Sequence, residues 1–213
     1  MNGVFITGSN TNVGKTVVGI EIIKCLSTSR KVKARKPVET NCRLVGGQYQ
    51  PKDAIDLNNA CSDQEPLNKV CPFCFELEAS PEDASLHTGM SLDLNKLLLA
   101  CRDDVEDSFV LIEGAGGLYS PIAEFSLNSD LAFQLRLPVV IVIRDELGAI
   151  SQALLTINAA KTEKLIIAFI VLNEIIPNKL NNKKNLSQYT KTPIISFCKN
   201  RIDEFYSDIK GLI

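Results

Sequence analysis

The chain has no apolar run approaching the roughly 18 residues that span a bilayer, so no membrane-spanning helix is expected. It has no excess of either charge. Lys plus Arg number 23 and Asp plus Glu 25, for a net charge of -2. Nothing in that balance suggests the basic footprint of a nucleic-acid binder or of a protein drawn to an anionic membrane. The start, Met1-Asn2-Gly3-Val4-Phe5-Ile6-Thr7, lacks the basic region of a signal peptide, and a glycine-bearing loop follows at once. There are no repeats and no low-complexity segment. Histidine is confined to His87, which reads as structural or exposed rather than as a catalytic base. A zinc site would need two ligands beyond Cys71 and Cys74, and no second paired motif supplies them. Seven cysteines, an odd number at irregular spacing, suit free thiols in a reducing cytoplasm rather than a disulfide framework.

What is present is an alternation of strand and helix signals. Val4 to Thr7 is a short apolar strand, and a loop from Gly8 opens a helix whose apolar positions include Val17, Val18, Ile22 and Leu26. Lys31 to Lys36 reads as an extended strand ended by Pro37. Asp53 to Ala60 and Leu92 to Cys101 read as helices. Phe109 to Ile112, Val139 to Ile143 and Leu165 to Leu172 are near-continuous apolar runs, the pattern of parallel strands buried on both faces. A helix, Ala149 to Ala160, separates the last two; Thr192 to Phe197 and Ile202 to Ile213 supply a final strand and helix. The pattern predicts one α/β domain over residues 1–213, a doubly wound, mostly parallel sheet flanked by helices. Length alone also favours one domain. Such sheets bind ligands at the carboxyl ends of their strands.

Gly8-Ser9-Asn10-Thr11-Asn12-Val13-Gly14-Lys15-Thr16 sits between the first strand and the first helix, the context of a phosphate-binding loop. Backbone N–H groups at a helix start can hold phosphate oxygens. Asn12, Val13, Gly14, Lys15, Thr16 and Val17 are therefore candidate nucleotide-binding residues. Lys15 would meet the β- and γ-phosphates, and the Thr16 hydroxyl could ligate Mg²⁺. Five residues separate Gly8 from Gly14-Lys15, one more than is usual. A partition-type ATPase switch would share the fold, but such proteins carry a second lysine near the loop's start, where Ser9, Asn10 and Thr11 stand. A GTPase is disfavoured because Asn173-Glu174-Ile175-Ile176 lacks the Lys and Asp of a guanine-reading sequence.

The strand Phe109 to Ile112 runs into Glu113-Gly114-Ala115-Gly116-Gly117. A carboxylate there can serve Mg²⁺ beside the phosphate loop, and the glycines let backbone approach a ligand. Asp53, at the head of a helix, could act with it or could be an N-cap. Cys71-Pro72-Phe73-Cys74 resembles a glutaredoxin-type redox pair, but such a pair belongs at the start of a thioredoxin-like helix.

Taken in order, these segments resemble the dethiobiotin synthetases. That family has the same long loop spacing, a Lys-Pro-Val like Lys36-Pro37-Val38, and a Ser-Asp-Ala like Lys52-Asp53-Ala54. It also has a Glu-Gly-Ala-Gly-Gly like Glu113 to Gly117, a Pro-Tyr-x-Phe and Ser-Pro like Pro72 to Phe75 and Ser80-Pro81, and a Leu-Gly-x-Ile-Asn like Leu147 to Ser151. Asn10, Asn12, Glu82 and Ser151 depart from the family's residues, and its later Gly-x-Ile-Pro stretch is missing. The resemblance implies an ATP-dependent enzyme, with Mg²⁺, that joins 7,8-diaminononanoate to CO₂. It assigns catalysis to Lys15, Lys36 and Thr11, and metal binding to Thr16, Asp53 and Glu113. Substrate contacts fall to Thr11, Lys36, Thr40, Ser80, Gly116, Gly117, Gly148 and Ser151. Asn173 would meet the base. A homodimer is also implied, because in the family the partner subunit helps hold the substrate's carboxylate. The competing readings are a non-catalytic ATPase switch acting through a protein partner and a fragment of an ATP-dependent amidotransferase.

Overall fold

The computed structural model describes residues 1–213. In chain order the elements begin with β1 (Asn2–Gly8), α1 (Lys15–Ser27), β2 (Val32–Arg35), β3 (Val38–Glu39), β4 (Arg43–Val45), β5 (Gln48–Gln50) and α2 (Lys52–Ala60). There follow α3 (Leu67–Val70), β6 (Phe73–Cys74), α4 (Pro81–His87), α5 (Leu94–Arg102), β7 (Phe109–Glu113), β8 (Pro121–Ala123), β9 (Ser126–Leu127) and α6 (Asn128–Leu135). The chain continues through β10 (Val139–Arg144), α7 (Ala149–Thr162), β11 (Ile167–Asn173), α8 (Asn182–Leu186), β12 (Ile194–Phe197) and α9 (Ile202–Lys210).

Six strands form the central sheet in the order β12-β11-β10-β1-β7-β2. Every neighbouring pair is parallel. The apolar strands alternate between two cores. Phe5, Val110, Ile112, Ile141 and Leu172 face one cluster with α5, α6 and α7. Val4, Ile6, Leu111, Val140 and Val171 face the other with α1, α2 and α9. Burial on both faces explains why these segments read as unbroken hydrophobic runs. The expectation of a mostly parallel, doubly wound sheet is met, with no antiparallel strand in it. No helix is long and apolar enough to cross a membrane.

The edge strand β2 turns charge inward. Arg35 is fully buried. Its Nη1 donates to Glu65 Oε2 at 2.6 Å and its Nη2 to Asp103 O at 2.7 Å. Lys33, buried beside it, lies 3.3 Å from Glu65. Burial alone would raise the Glu65 pKa, but the hydrogen bonds and charges of Arg35 and Lys33 outweigh it and hold the carboxyl below its usual value.

Candidate active site

The phosphate loop leaves β1 and is pinned at several points. Ser9 N donates to Val142 O at 3.1 Å, and Asn10 Oδ1 accepts from Thr11 N at 2.8 Å. Gly14 has φ 91°, and a Cβ there would lie 2.0 Å from Asn173 Nδ2, so glycine is required twice over. No side chain caps the start of α1. Its first N–H groups thus remain available to an anion.

Lys15 opens α1 and is buried. Its Nζ donates to Asn10 O at 3.0 Å. Burial brings its pKa down to about 8, with Lys36 pushing the same way and Glu113 and Asp53 opposing. An arriving phosphate would restore the full positive charge.

Lys36 follows β2, and its backbone N donates to Val70 O at 2.9 Å. Its Nζ reaches Glu113 Oε1 at 2.6 Å, Gly114 O at 3.1 Å and Asp53 Oδ2 at 3.4 Å. Burial alone would lower its pKa; the charges of Glu113 and Asp53 and the hydrogen bond to Glu113 win, and it is raised. Glu113 ends β7, and its Oε1 also accepts from Thr16 Oγ1 at 3.0 Å. Its other oxygen, Oε2, is buried without a hydrogen-bond partner. An orphaned carboxylate oxygen beside a hydroxyl, with Asp53 38% exposed nearby, suits a hard cation. No cluster of three or more His, Cys, Asp or Glu gathers to hold an ion unaided. Mg²⁺ does not need one, because it takes one or two carboxylates together with phosphate oxygens and water.

These groups face one cleft of about 730 Å³. Thr11, Asn12, Gly14, Lys15, Thr16 and Val17 line it from the loop side. Lys36, Thr40, Asp53, Ser80, Glu113 and Gly116 line it from the other strands and loops. Ser80 caps α4, its hydroxyl accepting from Asp83 N at 3.2 Å.

Five expected site residues lie elsewhere. Val13 is buried behind the loop. Asn173 is buried too, and its Nδ2 donates to Val13 O at 2.8 Å, so its amide holds the loop's backbone instead of facing the cleft. Gly117 borders a separate hollow with Ser9 and Tyr119. Gly148 and Ser151 stand at the start of α7, next to the exposed Leu147.

Two residues without a recognisable sequence motif prove to organise the site. Asn128, fully buried at the start of α6, donates from Nδ2 to Ala115 O, Gly117 O and Ser120 O and accepts at Oδ1 from Ala115 N. It thereby shapes the turn after Glu113. Glu39, buried at the cleft wall, accepts from Asp53 N and Ala54 N at 2.9 and 3.0 Å. Burial lifts its pKa to about 7 against the pull of Lys36. Cys71 and Cys74 are free thiols 3.7 Å apart, on the segment that enters β6 and not at a thioredoxin-like helix start.

Fold and site together place the chain among the phosphate-loop NTPases. Cell division ATPase MinD of Pyrococcus furiosus matches with a TM-score of 0.59 and 15% identity over 100% of both chains. A plasmid partition protein of Borrelia burgdorferi matches with a TM-score of 0.61 and 11% identity, again over 100% of both. At such identities they share the fold. A family model described as an AAA domain matches residues 2–200. Sequence relatives narrow the class. ATP-dependent dethiobiotin synthetase BioD of Vesicomyosocius okutanii is 47% identical over 100% of this chain and 97% of its own length. The synthetase of Ruthia magnifica is 47% identical, over 100% and 99%. That of Anaeromyxobacter dehalogenans (strain 2CP-C) is 35% identical, over 83% and 78%. The chain belongs to the ATP-dependent dethiobiotin synthetase family.

Proposed function

We propose that the protein carboxylates 7,8-diaminononanoate with CO₂ and closes the product to dethiobiotin, converting ATP to ADP and phosphate. The observation that carries this reading is the meeting of Lys15, Lys36, Thr16, Asp53 and Glu113 in one cleft. A phosphate loop alone would serve any nucleotide. A second buried lysine between two carboxylates, opposite the loop, gives the cleft a place for a further anion.

The sequence of bonds follows. One substrate amine adds to CO₂ and loses a proton, giving a carbamate. A carbamate oxygen attacks the γ-phosphorus, the bond to ADP breaks, and a carbamic–phosphoric anhydride forms. The second amine then attacks the carbamoyl carbon and loses a proton, and phosphate leaves as the five-membered ring closes.

The protein's contribution is positioning and charge. The free N–H groups at the start of α1 and Lys15 hold the β- and γ-phosphates. Lys36 meets the carbamate and the phosphoryl group in transit. Thr11 and Thr40 orient the diamine, with Ser80 and the backbone at Gly116 lining its path. Thr16, Asp53 and Glu113 would hold Mg²⁺. Bound there, it neutralises phosphate charge as that charge moves toward ADP. Leu147, Gly148 and Ser151 are exposed at the start of α7, or nearly so, which supports a homodimer in which they serve the partner's substrate. Seven free cysteines accord with a cytoplasmic protein.

Phosphate release with and without 7,8-diaminononanoate plus bicarbonate tests the reading. Release should depend on both, with dethiobiotin seen by mass spectrometry. Release indifferent to the diamine, with no ring product, would sink it.

A further inference from the structure

The cleft depends on a segment that leaves it and comes back. After Glu39 the chain runs out through the β4–β5 hairpin, whose residues Arg43, Leu44 and Val45 are exposed, and returns at Pro51 to begin α2. The hairpin turns on Gly46 and Gly47, where an added Cβ would meet nothing within 4 Å. The hairpin pairs with no other strand, so sheet pairing does not fix where α2 begins. Yet the first turn of α2 carries Asp53, whose carboxylate must stay beside Lys36, 3.4 Å away.

Glu39 closes the excursion. Its backbone is anchored, because Phe75 N donates to its carbonyl at 2.9 Å. Its carboxylate then reaches across 14 residues of sequence to α2. Oε1 accepts from Asp53 N at 2.9 Å and Oε2 from Ala54 N at 3.0 Å. The helix has no cap of its own, since Pro51 occupies the cap position and no side chain there accepts a hydrogen bond. A carboxylate at a helix start satisfies orphan donors and complements the helix dipole. The residue whose backbone N–H donates the first of these two bonds is Asp53 itself.

We propose that Glu39 is a positioning residue that sets Asp53 for metal binding by capping α2 from the neighbouring strand β3. The inference rests on the reading of Asp53 as a Mg²⁺ residue. It assigns to Glu39 no contact with the metal or the substrate.

The test is Mn²⁺ binding to the enzyme–ADP complex, followed by the electron paramagnetic resonance of free Mn²⁺. Wild type is compared with Glu39→Gln, Asp53→Asn and the double variant, after circular dichroism melts confirm folding. Gln keeps the volume but presents one acceptor where two are needed. The expected loss in Glu39→Gln is about 10–100-fold, as for other residues that hold a metal ligand in place. Asp53→Asn should lose affinity as well, and the double variant should bind no more weakly than Asp53→Asn alone. Glu39→Asp, which keeps the charge but is too short to span both N–H groups, should show the same loss, and it replaces Gln if that variant does not fold. If Asp53→Asn weakens binding and Glu39→Gln does not, the capping inference is overturned and the metal assignment stands. Losses that multiply in the double variant also overturn it, since Glu39 would then act independently of Asp53. If Asp53→Asn binds like wild type, the metal assignment fails and the inference fails with it.

Discussion

Lys36 and Glu113 lie 77 residues apart in sequence, yet Lys36 Nζ sits 2.6 Å from Glu113 Oε1. Neither side chain is more than 4% exposed. This buried pair joins the end of the edge strand β2 to the end of its neighbour β7 and faces the phosphate loop.

Removing one partner strands the other. Lys36→Ala should therefore destabilise the fold by about 3–5 kcal/mol in urea melts, while Lys36→Met combined with Glu113→Gln recovers a good part of it. At a temperature where Lys36→Ala is folded, turnover should fall far more than ATP affinity in isothermal titration. An ATP affinity that collapses while kcat survives would contradict the role given to Lys36.

Lys15→Ala should leave the fold nearly as stable as wild type, because Lys15 holds only the Asn10 carbonyl. Turnover should fall by about 10²–10³-fold, the usual loss for one transition-state charge contact. Steady-state kinetics within a few-fold of wild type would remove Lys15 from the mechanism.

Nucleotide selectivity should be weak. Asn173, the expected base contact, spends its amide on Val13 O. Affinity then comes from phosphate contacts common to every triphosphate. Values of kcat/KM for ATP, GTP and CTP should lie within about 30-fold of each other, some 2 kcal/mol. An ATP preference above about 1,000-fold would require a base pocket built from the chain beyond Thr192.

Acid stability should depend on Glu65. Its folded pKa is depressed, so its contribution is present above its unfolded value of about 4.3 and is lost as pH falls through the folded value. Urea melts from pH 7 down to pH 3 should show wild type losing stability in this window. Glu65→Gln should be less stable at pH 7 and should lose less on acidification. Parallel curves for the two proteins would show that Glu65 does not carry the acid limb.

Cys71→Ser with Cys74→Ser should keep nearly full ligase activity. Hydrogen bonding with Cys42 favours the Cys74 thiolate, but bonding with Cys71 and burial outweigh it and push the thiol up to about 12, far from a reactive state. Loss of activity in a double variant that melts normally would restore a chemical role to the pair.

The parts of the site legible in the sequence were those fixed by neighbours in the chain. Gly14-Lys15-Thr16 at a strand-to-helix junction and Glu113 at a strand end announce themselves, because strand period and loop composition are local. Six sheet strands were readable for the same reason. Glu39 and Asn128 were not, since their roles are hydrogen bonds to backbone groups 14 and 13 residues away. Helices α4 and α6 were missed because they are short, at 7 and 8 residues, and offer little periodicity. The polar composition of Asn181 to Asn185 is that of a solvated loop, yet Asn182–Leu186 is a short helix anchored by buried Leu186 and by Asn182 bonding Asp145. Lys33 and Arg35 read as an ordinary basic strand, and only their distant partners, Glu65 with Asp103 and Asp104, explain their burial.

The bond from Asn173 to Val13 crosses 160 residues of sequence. The whole phosphate-loop motif is therefore translated long before the residue that holds it curled. Strand β11 follows β1 to α7 in the chain, so this hold on the loop is made only after every phosphate-binding group has been synthesised.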